Sequence, residues 1–236
     1  MDVIAHRGFS SDYTENTLTA FAQALLLEVD AIELDIHQVE NEFIVFHDFY
    51  VDKLTNGKGR ITDFTVAELK QLRVKEIDLI PTLADVISLV GKQVTLNLEI
   101  KSLHSSADFA AYLLPLLDHF QCSVVLSSFD HPLLIECKQT LSHRLEIKYA
   151  ALIAHSPIDH STYAHNMMVD IAAIDCESVS AAFVANAHQY GLKVWCYTVN
   201  QEHTLRRMLR IGVDGIFTDN PLWARRMIEA SECPPE

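Results

Sequence analysis

The sequence predicts an α/β fold, a (β/α)8 TIM barrel with a small insertion after the second strand. Short apolar runs alternate eight times with helical patterns, and the runs are nearly continuous, as expected of parallel strands that are covered on both faces. A chain of 236 residues also suits one large barrel core. Eight alternations favour a closed barrel over an open doubly wound sheet.

The predicted elements follow one another in regular order. The strand-like runs are residues 3–6, 31–36, 94–100, 123–128, 145–151, 171–176, 193–199 and 214–218. Helical patterns lie near 17–28, 82–90, 106–119, 131–141, 159–168, 179–190, 201–210 and 221–230. Each strand is thus followed by a segment that can return the chain to the start of the next one.

One region interrupts this alternation, from Glu42 to about Leu79. An extra apolar run, Phe43-Ile44-Val45-Phe46, precedes His47, and Thr55-Asn56-Gly57-Lys58-Gly59 supplies turn-forming residues. We expect residues 1–236 to form a single domain, in which a segment of about 42–79 is inserted over the barrel mouth.

Composition limits the possible partners. Asp and Glu number 32 against 18 Lys and Arg, a net charge of −14, so nucleic acid and anionic membrane surfaces are not expected as partners. No segment approaches the roughly 18 uninterrupted apolar residues of a membrane span. The chain shows no secretory signal pattern, and its odd number of cysteines lacks metal-site spacing. We therefore expect a cytoplasmic protein with reduced thiols and no stable membrane association, while the oligomeric state stays open; the cysteines are Cys122, Cys137, Cys176, Cys196 and Cys233.

Charged side chains stand where these apolar strands end. His6 follows the first run, His47 follows the extra run, and Glu33, Asp35 and Glu99 alternate with apolar residues inside two others. Because the strand period is two, Glu33 and Asp35 share one face. The carboxyl ends of barrel strands meet at one edge, so we expect these five side chains to share a pocket.

Three carboxylates in a poorly solvated pocket call for a cation, because like charges raise one another's pKa. Their oxygen ligands suit one hard divalent cation, Mg²⁺ or Ca²⁺. The alternative is that Glu33, Asp35 and Glu99 only form structural ion pairs with Arg7 and Lys101.

An ordered series of motifs resembles the bacterial glycerophosphodiester phosphodiesterases, of the cytosolic type, over essentially the whole chain. The matching segments are His6-Arg7-Gly8, Glu15-Asn16-Thr17, Glu33-Leu34-Asp35, His47-Asp48, Thr55-Asn56-Gly57-Lys58-Gly59, Pro81-Thr82-Leu83, Glu99-Ile100-Lys101, Ser128-Phe129, Trp195 and 212–221.

The resemblance implies metal-dependent hydrolysis of glycerophosphodiesters, a small-molecule substrate, to sn-glycerol 3-phosphate and an alcohol. It implies that His6 and His47 form an acid/base pair, in an order that the sequence does not set, and that a metal binds Glu33, Asp35 and Glu99. The substrate-binding residues that it implies are Arg7, Lys101, Trp195 and Glu15.

Simpler interpretations of two of these motifs stay open. Asn16 or Thr17 is also suited to capping the first helix, and Trp195 to packing in the core.

Two other functions are compatible with this type of barrel. One is a phospholipase, of the lysophospholipase D or phosphatidylinositol phospholipase C type, although the chain has no evident membrane-docking segment. The other is a barrel that binds a phosphate ligand without catalysis. No histidine or acidic residue of the motifs is missing, which favours an enzyme.

Overall fold

The structure of the protein is a computed structural model, which describes residues 1–232. The strands are β1 (Asp2–Ala5), β2 (Ala31–Val39), β3 (Glu42–Val45), β4 (Arg73–Val74), β5 (Asp78–Leu79), β6 (Thr95–Ser102), β7 (Val124–Ser128), β8 (Lys148–Ile153), β9 (Ile171–Asp175), β10 (Lys193–Tyr197) and β11 (Gly215–Thr218). The α-helices are α1 (Leu18–Ala24), α2 (Val66–Leu69), α3 (Leu83–Val90), α4 (Ser106–Phe120), α5 (His131–Thr140), α6 (Thr162–Asn166), α7 (Ala181–Gln189), α8 (Glu202–Ile211) and α9 (Pro221–Glu232).

Eight of the strands form a closed parallel barrel, which confirms the predicted fold. Around the barrel the order is β1, β2, β6, β7, β8, β9, β10 and β11. Closure occurs at β1, which pairs in parallel with β11 on one side and β2 on the other, so that Ile4 lies opposite both Phe217 and Ala31. The first and the last strand therefore pair with each other.

Apolar side chains fill two separate layers. The larger core lies between the sheet and the surrounding helices, and it includes Phe21, Leu34, Phe109 and Phe183. A second cluster occupies the barrel interior, and its members are Ile4, Ala31, Val125, Ala150, Leu152, Ile171, Ala173, Trp195 and Phe217. Strands with one apolar face in each layer read as nearly continuous apolar runs, which is why the sequence showed them clearly.

Two predicted elements are shorter than their apolar patterns. β8 starts at Lys148 instead of 145, because Leu145 is 84% exposed in a turn where the Ile147 amide donates to the Arg144 carbonyl. The helix predicted at 159–168 covers only Thr162–Asn166, since His160 has a left-handed φ of 53° that ends regular structure.

The segment between β2 and α3 has a small core of its own. β3 pairs antiparallel with β2, and β4 and β5 form a two-stranded sheet. Two turns of 3-10 helix, at Val51–Lys53 and Ile61–Asp63, lie between β3 and α2, which begins with a capping box from Thr65 to Glu68. The apolar residues buried beneath this segment are Val39, Ile44, Phe46, Val51, Ile61, Leu69, Val74 and Ile80.

Four of the cysteines are buried free thiols: Cys122, Cys137, Cys176 and Cys196. Cys233 lies outside the described residues. Within residues 1–232, every helix is too short or too polar to cross a bilayer.

Candidate active site

The carboxyl-terminal end of the barrel holds a cavity of about 150 Å³ that brings the predicted charged residues together. Its lining includes His6 and Arg7 from the loop after β1, Glu33 from β2, His47 after β3, and Glu99 and Lys101 from β6; Phe129, Leu152, Tyr197, Thr198 and Phe217 complete the wall. These side chains come from segments far apart in sequence, and the meeting of strand ends at one rim brings them together.

Three carboxylates meet on the acidic side of this cavity: Glu33 and Glu99 line it, and Asp35 is buried beside them. One oxygen from each of Glu33, Asp35 and Glu99 lies within 4.8 Å of the other two. Burial raises the pKa of Glu33 well above its usual value, and the charges of Asp35 and Glu99 raise it further. Burial raises the pKa of Glu99 as well, again with Asp35 contributing. The three groups are thus close enough to share an ion, and Glu33 and Glu99 are costly to keep ionised without one.

Two cations border the acidic group. Lys101 Nζ lies 2.5 Å from Glu99 Oε1 and 3.2 Å from Asp35 Oδ1, and Arg7 Nε lies 3.3 Å from Asp35 Oδ2. Burial alone would raise the pKa of Asp35, but Lys101 and Arg7 hold it below its usual range. Asp35 is therefore ionised at neutral pH even though it is fully enclosed.

The donor set fits a hard divalent cation. All three candidate ligands are carboxylates, and Glu33 Oε1 is buried with no hydrogen-bond partner among residues 1–232. Glu33 Oε2 accepts a hydrogen bond from the Arg7 amide at 2.8 Å, which fixes the side chain and leaves Oε1 as the oxygen that can bind a metal ion. Glu33, Asp35 and Glu99 could hold such an ion by oxygen ligands alone.

His6 is oriented by an aspartate from the opposite end of the chain. Its Nδ1 lies 2.7 Å from Asp219 Oδ1, in the loop after β11, and the His6 amide donates to the Thr218 carbonyl at 3.0 Å. Asp219 also accepts hydrogen bonds from Ser10 Oγ and Asn200 Nδ2, at 3.2 and 2.6 Å. With Nδ1 held in this way, Nε2 is the ring nitrogen left for chemistry.

The turn after His6 requires glycine. Gly8 has a φ of 84°, and a Cβ at this position would lie 2.8 Å from backbone and side-chain atoms of Ala20 in α1. No other residue fits between the His6 loop and the first helix without moving one of them.

His47 is held by its neighbour in sequence. Its Nδ1 lies 2.6 Å from Asp48 Oδ1, and the preceding residue, Phe46, donates its amide to the Asp35 carbonyl at 3.0 Å. Burial lowers the pKa of His47 below its ordinary value, because the attraction of Asp35 offsets only part of the burial cost. His47 is therefore neutral at pH 7 and able to accept a proton.

The model of the glycerophosphoryl diester phosphodiesterase family matches residues 6–222 of this chain. The chain belongs to that family. Relatives named glycerophosphodiester phosphodiesterase from Caldanaerobacter subterraneus and Bacillus altitudinis are each 33% identical to it, over 93% of this chain and 94% of their own length. The predicted family and the predicted enzyme class, a phosphodiesterase, are both confirmed.

Solved structures agree with the family assignment. A phosphodiesterase from Oleispira antarctica, solved with the product sn-glycerol-3-phosphate, is 26% identical and has a TM-score of 0.88, with 97% of each chain covered. A glycerophosphodiester phosphodiesterase from Thermotoga maritima is 25% identical, with a TM-score of 0.76 over 95% of this chain and 97% of that one.

The family motif Glu15-Asn16-Thr17 divides into three different tasks. Glu15 Oε1 accepts a hydrogen bond from Arg7 Nη1 at 2.7 Å, and Asn16 Nδ2 donates to Asp35 Oδ2 at 2.8 Å. Thr17 caps α1, since its hydroxyl accepts the Ala20 amide. Of the two residues that could cap the helix, Thr17 does so. Glu15 and Asn16 instead orient charged groups at the cavity.

Trp195 does not reach the cavity. It lies within the barrel interior, with its ring edge-on to Phe217, and it borders a different cavity of about 580 Å³ at the opposite end of the barrel. Tyr197 lines the active-site cavity instead. The two residues share one face of β10, and Trp195 is one strand period further from the rim. The structure therefore does not place Trp195 at the cavity in which it was expected to contact substrate.

Sequence reasoning missed two groups that contact the histidines. Asp219 belongs to the segment 212–221, which matches the family as a whole but in which the sequence alone indicates no role for a single residue. His37 on β2 is fully buried, and its Nε2 lies 3.4 Å from the His47 carbonyl oxygen. Burial lowers the pKa of His37 to about 4, so it is neutral at pH 7. His37 continues the alternation of polar residues that Glu33 and Asp35 begin along β2, and this alternation was the available signal for it.

Proposed function

We propose that this chain hydrolyses glycerophosphodiesters to sn-glycerol 3-phosphate and an alcohol, with one divalent cation at Glu33, Asp35 and Glu99. One observation carries the proposal: two imidazoles, each with Nδ1 on a carboxylate, share one small cavity with an all-oxygen acidic group. The product complex of the Oleispira antarctica relative supports the same substrate class.

The cation is Mg²⁺ or Ca²⁺, both of which prefer oxygen ligands. When bound, it supplies positive charge beside the phosphoryl oxygens and compensates the carboxylates. Arg7 and Lys101 line the same cavity, and we assign them to the phosphate group, which a guanidinium can contact with two donors.

His6 and His47 divide the proton transfers. One takes the proton from the attacking oxygen and the other gives a proton to the departing alkoxide. The carboxylate on each Nδ1 fixes the tautomer and stabilises the ring when it is charged. The arrangement serves either assignment of the two roles, and it serves attack by water or by the glycerol 2-hydroxyl.

The size of the cavity bears on the choice of substrate. A volume of about 150 Å³ corresponds to roughly five water molecules. This is suited to the glycerophosphoryl half of the substrate, and Phe129 at the mouth is 46% exposed. We propose that the alcohol half extends past Phe129 into solvent, so that several head groups are accepted.

The test is an assay of released glycerol 3-phosphate with choline, ethanolamine, glycerol and inositol diesters. Each is run with Mg²⁺, Ca²⁺ or a chelator, and glycerophosphocholine is compared with its acylated relative. We expect release from several diesters that stops on chelation and is restored by one of the two ions. Full activity after thorough chelation contradicts the metal assignment, and preference for the acylated substrate indicates a phospholipase instead.

A further inference from the structure

We propose that His37 is a positioning residue, which holds the backbone of His47 at the distance from β6 that the active site needs. The proposal rests on the function proposed for His47. His37 itself is fully buried and does not line the cavity.

The contacts of His37, which stands on β2, reach two other parts of the site. Its Nδ1 lies 3.0 Å from Ser102 Oγ on β6, and its Nε2 lies 3.4 Å from the carbonyl oxygen of His47. The ring of Phe49 packs edge-on against it, with 5.1 Å between the ring centroids. His37 therefore connects the strand that carries Glu99 and Lys101 to the loop that carries His47 and Asp48.

The neighbours of the ring determine its tautomer. A carbonyl oxygen can only accept, so the proton is on Nε2, which donates to the His47 carbonyl. Nδ1 then accepts a hydrogen bond from the Ser102 hydroxyl. Both ring nitrogens are used, and the ring has one orientation that satisfies both partners.

An irregularity in the sheet makes this connection possible. Ile36 pairs with Ile100, but His37 pairs with Ser102, so Lys101 is an extra residue in β6 at this point. Such a bulge re-aims neighbouring side chains. Lys101 Nζ can reach Asp35 at 3.2 Å while the next residue, Ser102, reaches His37.

The consequence concerns turnover rather than binding. His47 reaches the cavity from a connecting segment. Among residues 1–232, the bond from His37 is the only hydrogen bond that the His47 carbonyl oxygen accepts. A displacement of about 1 Å at a reacting group can cost roughly 10²-fold in rate. Loss of the His37 donor should therefore lower kcat and leave the affinity for the cation unchanged.

Two substitutions separate the donor from the volume of the ring. His37→Gln keeps an N–H group near the position of Nε2, whereas His37→Asn keeps a polar group near Nδ1 and loses the donor to the His47 carbonyl. We expect kcat to fall roughly 10²-fold in His37→Asn and only a few-fold in His37→Gln, with KM and cation affinity by calorimetry unchanged in both.

A readout without turnover keeps this test independent of the proposed function. The imidazole NMR signals of isotope-labelled His47 should shift in His37→Asn and stay near their wild-type positions in His37→Gln. Thermal unfolding of both variants reports whether they fold. If the two variants behave alike in kcat and in the His47 signals, His37 only fills space and the proposal is overturned. If the His47 signals separate the variants but the wild type releases no glycerol 3-phosphate, the positioning stands and the proposed function fails.

Discussion

The two histidines of the site are held by regions of different construction. His6 stands on the barrel rim, and its partner Asp219 lies 213 positions later in sequence, across the closure between β1 and β11. His47 stands on the segment after β3, and its partner is the next residue. The rim pair depends on the global fold, while the pair on the segment depends on how that segment is fixed to the barrel. The same His–carboxylate chemistry thus arises from a long-range and a local solution.

The largest expected effect comes from removing one of the two imidazoles at a time. Loss of a general acid or base costs about 10² to 10⁴-fold in rate. We expect His6→Ala and His47→Ala each to lower kcat by that order, with the release of glycerol 3-phosphate as the measurement. Circular dichroism verifies that the variants fold. A folded variant with near-normal turnover would remove that histidine from the acid/base pair.

The next comparison replaces each carboxylate by an amide. Asp219 accepts hydrogen bonds from Ser10 and Asn200 as well as holding His6, and an amide has only one oxygen for these donors. In the described part of the chain, the Asp48 side chain bonds only to His47, which one amide oxygen can satisfy. We expect Asp219→Asn to lower kcat by roughly 10²-fold, since a wrongly oriented imidazole is costly, and Asp48→Asn to cost less.

Steady-state kinetics of the two variants, side by side, measures this difference. Equal losses would mean that the network around Asp219 adds nothing to the orientation of His6.

The pH dependence of stability tests the burial of His37, which holds the loop that carries His47. Because burial lowers the pKa of His37 to about 4, the unfolded chain binds a proton below pH 6.5 that the folded protein does not take up until about pH 4. The stabilisation is complete above pH 6.5 and is lost as the pH falls through this window, by about 3 kcal/mol in total.

Urea unfolding of the wild type and His37→Gln between pH 4 and 7 isolates this contribution. The difference in the unfolding free energy between the two proteins should change across the window. A constant difference would show that His37 titrates normally.

The smallest expected effect comes from reducing the packing in the core of the inserted segment or in the main core of the barrel. Ile61 and Ile32 are both fully buried, but Ile61 belongs to the small core of the inserted segment and Ile32 to the main core. Ile→Val typically costs about 1 kcal/mol. We expect Ile61→Val to raise hydrogen exchange only within the segment, and Ile32→Val to lower the global unfolding free energy. Exchange that rises throughout the barrel in Ile61→Val would show that both regions unfold together.

The sequence was sufficient for the barrel, because buried parallel strands are continuous apolar runs and their charged ends stand out. It also placed His6, Glu33, Asp35, His47, Glu99, Arg7 and Lys101 at one rim, where the structure finds them. The partner of His6 could not be read from sequence, since it depends on which loop meets which after closure. The assignment of Trp195 failed for a related reason: the period of two fixes the face of β10 but not which residue on that face stands at the rim.

The closure between β1 and β11 has a consequence during protein synthesis. A ribosome delivers His6 early and Asp219 late, so a nascent chain carries the carboxylates of the proposed metal site and both imidazoles long before the strand that completes the barrel emerges. A fragment cut before Gly215 would lack that strand and the carboxylate on His6 together. Partial translation or proteolysis in this part of the chain should therefore yield an inert product instead of an unregulated hydrolase.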